Sequence, residues 1–454
     1  MSEPLDVDTW LTTHDIGTVR IEGTNLDSAL MGKIITAQKF RGAVQTGFGF
    51  ADLAFGVDLG NIPHWGFAWP SWRGDMPDIF LRPDPATLVE WSPGHAAVIG
   101  DYYDRHGSPL PVCPRNLLRK VTNRLAEQGF TAKVAIEIEA TVFEESIQEA
   151  RAMGFKNLTP LGGKAGFAYH LPKDQQWHEY MTAVSSRLDE LGIAWEAWND
   201  EAAWGQVELN LAVTDPIQAC DNWTRARQVM REVGFQLGRT VTFMAKWCDE
   251  YGQASHLNVS LARDGENAFY APGGPSETMT HFIGGVMDSI TAATSLALPW
   301  VTSYRRLNDL DGPPTTATWG ISNKTTALRA VVGDPKQSRI EYRVPGADSN
   351  AYLVLAALLA AGGHGVGEQI TPPAAFEGMA YCFPPGAAQR LPNTISKAFN
   401  ALDNATTLRH LLGNELIDYW VGMRRWEWMR YHSDGGTPES DITDWEINRY
   451  FELV

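Results

Sequence analysis

Cysteine is scarce in this chain, and the few present lie far apart. Cys113, Cys220, Cys248 and Cys382 are spread over 454 residues with no CxxC pair among them. That spacing argues against a disulfide-stapled scaffold and a cysteine zinc site, and it suits a reducing compartment, so a cytoplasmic location is expected. Long hydrophobic runs are also missing. The first residues, MSEPLDVDTW, carry acids and no apolar stretch of the kind a secretory leader needs. The most apolar run, Ala351 to Ala361, is too short to cross a bilayer. It reads as a buried helix stopped by Gly362-Gly363. No membrane partner is expected. Basic residues are in deficit, 37 against 54 acidic, for a net charge of −17. Nucleic-acid binding needs basic surface that displaces counterions, so no nucleic-acid partner is expected either.

What is abundant is material for a core. Hydrophobic residues make up 44% and aromatics 11%, enough for one large domain or two unequal ones and too much for a disordered acidic chain. Glycine-punctuated, β-leaning runs open the chain as GTVRIEG, KIITAQKF and VQTGFGF, which read as strands of a small lobe. A stretch rich in Pro, Gly and Trp follows, then helical spacing from Arg115 to Gln128. Beyond about residue 130, strands alternate with helices. KVAIEIEATVF, TVTFMAKW, ASHLNVSLA and SRIEYRV read as strands; Trp177–Leu191 and Ile217–Leu237 read as helices. The expected fold class is α+β, with a small N-terminal β lobe over residues 1–115 and a large lobe over 116–454.

Chemistry-bearing residues sit on these strands. In KVAIEIEATVF, alternation puts Glu137 and Glu139 on one face. Alone, they read most simply as acids in water; as a pair they are also what a hard divalent cation binds. EAWNDEAAWGQVELNLA carries Glu201 and Glu208, with Gly205 between them favouring a bend into a strand. In GQASHLNVSL, His256, Asn258 and Ser260 share a face; beside four carboxylates, the imidazole reads as a metal ligand. In SRIEYRVPG, Arg339, Glu341 and Arg343 share a face, with Arg305, Arg306, Lys324, Arg329 and Lys336 nearby in sequence. A basic cluster inside an acidic chain fits a polyphosphate ligand, because arginine grips carboxylate and phosphate with two parallel hydrogen bonds.

Taken in order, these motifs resemble the glutamine synthetase superfamily. The resemblance runs over nearly the whole chain, from GDMPDIFLRPDPATL through IEIEATVF, NDEAAWGQVELN, ASHLNVSL, SNKTTALR and SRIEYRVPGADSNAYLVLAALLAAG. It implies an N-terminal β-grasp lobe and a catalytic lobe built on a curved antiparallel sheet with flanking helices. The implied chemistry is an ATP-dependent ligase that phosphorylates the γ-carboxylate of glutamate and passes the acyl group to an amine. By position, Glu139, Glu201 and Glu208 match ligands of one Mg²⁺ or Mn²⁺ ion, and Glu137, His256 and Glu341 match ligands of another, with two or three ions per site. Arg306 and Arg343 match residues gripping glutamate and the transferred phosphoryl group, and Gly252 matches a backbone contact to the amino acid. Ser260, Arg329, Lys336 and Arg339 match nucleotide contacts; Asn258 and Lys324 stand where many members have His and Arg. The resemblance also implies a homo-oligomeric ring, a dodecamer, in which a neighbour's small lobe completes each site.

Two stretches depart from the glutamine-forming pattern. Asp-Gly-Ser-Ser of the ammonium site is replaced by FGFADLAFG, which retains Asp52 and adds Phe55. The flap glutamate of those members gives way to Gly312, with Asp311 one residue earlier. Phe50, Phe55, Trp65, Phe67, Trp69 and Trp72 offer an apolar wall. The expected reaction is γ-glutamyl amide formation with a small alkyl or aryl monoamine. Asp58 is the candidate for holding a polyamine's distant ammonium. Alternatives are a γ-glutamylpolyamine or γ-glutamylethanolamide synthetase, glutamine synthetase using ammonia, or a non-catalytic regulatory relative.

Overall fold

The computed structural model of the chain describes residues 5–63, 77–164, 168–169, 171, 174–309, 311–381, 388–434 and 442–454. Cys382 and the stretch carrying Trp65, Phe67, Trp69 and Trp72 lie outside the described residues.

The N-terminal lobe is a six-stranded sheet. Its strands are β1 (Thr18–Thr24), β2 (Leu30–Thr36), β3 (Phe48–Ala51), β4 (Asp78–Pro83), β5 (Val89–Ser92) and β6 (His95–Tyr103). They lie in the order β2-β1-β6-β4-β3, with β5 on β6. β1 and β6 run parallel and the other pairs antiparallel. The run KIITAQKF is not one strand. Thr36 ends β2 and its hydroxyl accepts from the backbone of Lys39 at 3.2 Å, so Ala37–Ala43 becomes a helix. A threonine at that position satisfies one of the helix's free N–H groups, which the β-leaning composition of the run hides.

The large lobe is α+β, as expected. Its strands are β7 (Thr131–Phe143), β8 (Trp195–Asp200), β9 (Gln206–Leu211), β10 (Thr240–Thr242) and β11 (Leu257–Arg263), then β12 (Glu266–Asn267) and a short hairpin of β13 (Tyr270–Ala271) with β14 (Gly274–Pro275). β15 (Trp319–Ile321), β16 (Leu328–Val331) and β17 (Arg339–Tyr342) complete it. Excluding the hairpin, these form one sheet in the order β15-β16-β17-β11-β7-β9-β8, with β10 on β7 and β12 on β11. All its pairs are antiparallel except β15 with β16. Of TVTFMAKW, only Thr240–Thr242 pairs as strand. On β7, Val134, Ile136 and Ile138 are buried in the core, and the opposite face carries Glu137 and Glu139. The helices Pro114–Glu127 and Pro216–Gln236 pack against β7, and the helix Ala351–Gly367 packs against both of them.

That last helix corrects an expectation. Gly362 and Gly363 do not stop it; they lie inside it. A Cβ on Gly362 would sit 2.2 Å from the Phe282 ring, and one on Gly365 would sit 2.3 Å from the carbonyl oxygen of His281. These glycines let the helix press against Glu277–Ala297, whose Gly285 meets Gly365 backbone to backbone. Close helix approach offsets the helix propensity that glycine loses, a packing effect invisible in local sequence.

The lobes are tied together at Arg115, which is 1% exposed. Its guanidinium reaches Asp84 at 2.8 Å, Asp101 at 2.9 Å and Asp221 at 2.9 Å. Tyr352 donates to the same Asp221 at 2.6 Å. Asp84 and Asp101 belong to the small lobe's sheet region; Asp221 and Tyr352 stand on helices of the large lobe.

Candidate active site

Register brings the acids together. Glu139 on β7 pairs with Glu208 on β9, and Glu137 with Asn210. On the other side β7 meets β11, and the backbone N–H of Glu137 donates to the carbonyl of His256 at 3.0 Å. β11 in turn pairs with β17, Asn258 opposite Glu341, and Arg329 of β16 lies opposite Glu341. Glu201 follows β8, and Gly205 at φ +64 turns the chain into β9. Paired residues in a sheet point to the same side, so one face gathers groups from five strands.

The tightest cluster is Glu137, His256 and Glu341, whose ligand atoms all lie within 4.8 Å of one another. His256 Nδ1 is 2.8 Å from Glu137 and 3.8 Å from Glu341. Glu341 also pairs with Arg329 at 2.7 Å and with Arg343. Burial would raise its pKa, but His256, Arg343 and Arg329 outweigh burial and hold it down at about 2. Asn258 bridges two partners: its amide donates to Glu137 at 2.9 Å, and its oxygen accepts from Arg339 at 2.9 Å.

Glu139, Glu201 and Glu208 do not draw in so closely. Glu139 accepts from the Gln206 side chain at 2.7 Å and from the Ala254 backbone at 2.6 Å. Glu201 accepts from Asn199 at 3.0 Å, and Glu208 from Asn210 at 3.0 Å. Burial raises Glu139 to about 8, with Glu201 and Glu208 adding to the rise against His256. Burial, Glu137 and Glu201 raise Glu208 to about 7, and burial raises Glu201. Buried carboxylates this close are costly to ionise together. Carboxylate oxygens with one imidazole suit Mg²⁺ or Mn²⁺, and the raised carboxyls are those a cation would hold ionised. The donor set therefore fits divalent metal.

Arg306 is 2% exposed and donates to the Val344 carbonyl at 2.9 Å. Gly252 lies against it: a Cβ there would fall 2.3 Å from Arg306 Cγ. Among the described residues the buried Nε of Arg306, Arg329 and Arg343 have no hydrogen-bond partner. Ser260 lies half-buried on β11, while Lys324 and Lys336 are exposed in turns. Asp311 is held by Lys246 at 3.3 Å and Asn308 at 3.0 Å. At Gly312, φ +92, an added Cβ would meet nothing within 4 Å among the described residues.

Two sequence expectations are corrected. Phe55 is 2% exposed and packs edge-on against Tyr102 at 5.1 Å, so it fills its own lobe's core and does not line an amine pocket. Asp52 is buried beside it. Asp58 is not open to a distant ammonium. It is 7% exposed, and its oxygens accept from Gly60, Ile62, Trp426 and Arg449.

The sequence reading also missed residues. Gln206 and Asn210 share the face of Glu208 in QVELN, an alternation that was there to be read. Tyr381 had no such signal. It is 5% exposed, burial raises its pKa, and the Gly312 backbone, Arg343, Asp309 and Asp311 lie close by.

A sheet gathering acids, an imidazole and arginines on one face suits an enzyme for anionic, phosphate-bearing substrates. The catalytic-domain profile of glutamine synthetase matches residues 111–450. A γ-glutamylethanolamide synthetase of Streptomyces coelicolor is 31% identical, covering 97% of this chain and 94% of its own. A glutamate–isopropylamine ligase of a Pseudomonas species is 29% identical over 99% of this chain and 98% of its own. The solved GmaS–ADP complex superposes with a TM-score of 0.83 at 26% identity, over 97% of this chain and 98% of that one. The chain belongs to the glutamine synthetase family, and it is an ATP-dependent carbon–nitrogen ligase. Among the described residues no helix is long and apolar enough to cross a membrane.

The raised carboxyls make a pH prediction. Glu139 and Glu208 keep their protons longer in the folded chain than in the unfolded one. Stability therefore falls as pH rises from the ordinary carboxyl range through about 7 and 8. A cation on the ionised site reverses that loss. Mg²⁺ should raise the unfolding temperature more at pH 8 than at pH 6, and Glu139→Gln should flatten the difference. Equal shifts at both pH values would mean that these carboxyls are ionised without metal.

Proposed function

We propose that the chain joins the γ-carboxylate of glutamate to an organic amine, driven by ATP and passing through a γ-glutamyl phosphate. The observation that carries this reading is the convergence of Glu137, His256 and Glu341 within 4.8 Å, with Arg329 and Arg343 on Glu341. Glu137, His256 and Glu341 would hold one divalent cation, and Glu139, Glu201 and Glu208 another, with room in the family pattern for a third. Bound cations offset charge on the phosphates and on the transferred phosphoryl group. Arg306, next to Gly252, grips the glutamate, and Arg343 donates to the phosphoryl oxygens. Asn258, Ser260, Lys324, Arg329, Lys336 and Arg339 serve the nucleotide. Water must be kept from the acyl phosphate until the amine arrives, and Asp311, tied to Lys246, would serve this beside Gly312.

The amine is read as a small alkyl or aryl monoamine. Among the described residues nothing lies within 4 Å of where a side chain at Gly312 would begin, the position of a flap glutamate in glutamine-forming members, and Tyr381 is close to its backbone. Burying an apolar substituent gains about 0.8 kcal/mol per CH₂. A three-carbon group therefore gains roughly 2 kcal/mol, more than tenfold in binding. Ethanolamine is the second reading, favoured by the 31% identical Streptomyces coelicolor relative. With ammonia, isopropylamine and ethanolamine competing at equal free-base concentration, products counted by mass should be dominated by an organic γ-glutamyl amide. Glutamine as the main product would restore ammonia as the substrate.

The assembly is read as a ring of copies, two stacked hexamers, with each site completed by a neighbour's small lobe. Light scattering should return a mass many times the 50.2 kDa chain; a fully active monomer would refute the ring.

A further inference from the structure

The sheet places one more cation on the face that carries the nucleotide residues. β7 and β11 are in register with Ser260 opposite Lys133, and Asn258 opposite Ala135. Alternation along β7 puts Lys133 on the same side as Glu137 and Glu139. One strand further, Asn258 pairs with Glu341 and Val259 with Ile340, so the ladder carried on by one residue brings Arg339 level with Ser260. Lys133 and Arg339 thus bracket Ser260 from the two neighbouring strands, with backbones about 10 Å apart.

The two cations differ in what they already hold. Arg339 donates to Asn258 at 2.9 Å and to the Gln337 carbonyl at 3.1 Å. Lys133 is exposed, and no hydrogen bond or ion pair engages its side chain among the described residues. An exposed lysine near a strand's start needs no function by itself. What singles this one out is its rung: four residues from Glu137, it stands about 13 Å along the strand from the Glu137–His256–Glu341 cluster. A nucleoside triphosphate with its phosphates at that cluster runs its ribose and base up the face past Asn258 toward Ser260. Its far end then lies within reach of a lysine's four-carbon stem.

We propose that Lys133 is a nucleotide-binding residue, its ammonium donating to the ribose or base of ATP. The inference rests on the reading that Asn258, Ser260 and Arg339 form the nucleotide face. A charged hydrogen bond of this kind is worth about tenfold in affinity.

The test is binding of ADP with Mg²⁺ by calorimetry to the full-length assembly, together with inhibition by inorganic tripolyphosphate. K133A should weaken ADP about tenfold, leave tripolyphosphate inhibition and the KM for glutamate unchanged, and keep the parent's unfolding temperature; K133R should restore most of the affinity. If R339A weakens ADP and K133A does not, Lys133 is a solvated surface residue and the proposal fails while the nucleotide face stands. If neither variant affects ADP, the nucleotide face itself is wrongly placed. A K133A variant that weakens tripolyphosphate as much as ADP would put the lysine on phosphate and overturn its assignment to the nucleoside end. A parallel rise in the glutamate KM would show a general disturbance of the sheet and overturn it as well.

Discussion

Arg343→Lys should lower kcat by about three orders of magnitude, while ADP binding and the unfolding temperature stay close to the parent's. Phosphoryl transfer leaves little covalent work for the protein, so rate comes from positioned positive charge, and one arginine is worth roughly 10³–10⁵. Arg343 sits just beyond β17, its side chain 13% exposed, with one terminal nitrogen on Glu341. Its buried Nε has no partner among the described residues. Lysine keeps the charge but loses the planar fork, so it cannot serve Glu341 and a phosphoryl oxygen at once. Glu341 would keep Arg329 at 2.7 Å and remain ionised, which is why the fold should survive. Steady-state phosphate release, with calorimetry of ADP as control, reads the effect. A kcat within tenfold of the parent would remove Arg343 from the reacting end.

Arg115→Leu should be the most destabilising single change at the lobe junction. The guanidinium makes contacts within 2.9 Å to three carboxylates, two of them 7% exposed at the side chain. It holds Asp84 below the usual carboxylate range, although burial pulls the other way. Taking away the cation leaves Asp84 and Asp101 only the half-exposed Arg119, at 3.3 and 3.1 Å, and takes Asp221's cation from it; breaking such a buried pair costs about 3–5 kcal/mol. Leucine fills part of the volume, so the loss is charge compensation more than packing. Denaturant unfolding should show a lower midpoint, and small-lobe fluorescence should change before the catalytic sheet melts. Arg115→Lys should recover only a fraction, because one ammonium cannot match the geometry of three carboxylates. An unchanged midpoint would mean that Asp84, Asp101 and Asp221 are stable without the arginine.

Much of the catalytic face could be read from consecutive residues. Alternation in IEIEATVF, ASHLNVSL and SRIEYRV put Glu137 with Glu139, His256 with Asn258 and Ser260, and Arg339 with Glu341, because a strand turns successive side chains to opposite faces whatever it pairs with. The acidic balance and the lack of a long apolar run were equally local facts, and they narrowed the function class before any pairing was known. The order of motifs then carried the family resemblance, since six patterns in one sequence constrain far more than any one of them.

Pairing was decided elsewhere. That Glu139 faces Glu208, or that His256 comes to Glu137, depends on register between segments far apart in sequence, and a slip of one residue would turn either strand's acids away. Phe55 and Asp58 show the same limit from the other side: their residue types suit a pocket, but Tyr102 and Arg449 take them into the interior. Gly362 and Gly365 look like breakers along the chain and become contact points once Phe282 and His281 lie against them. Sequence by itself determined which side chains share a face and which chemistry they can carry, because backbone geometry repeats over a few residues. Only the tertiary structure decided which faces meet and which charges lose their water, because burial and register are set by partners hundreds of residues away.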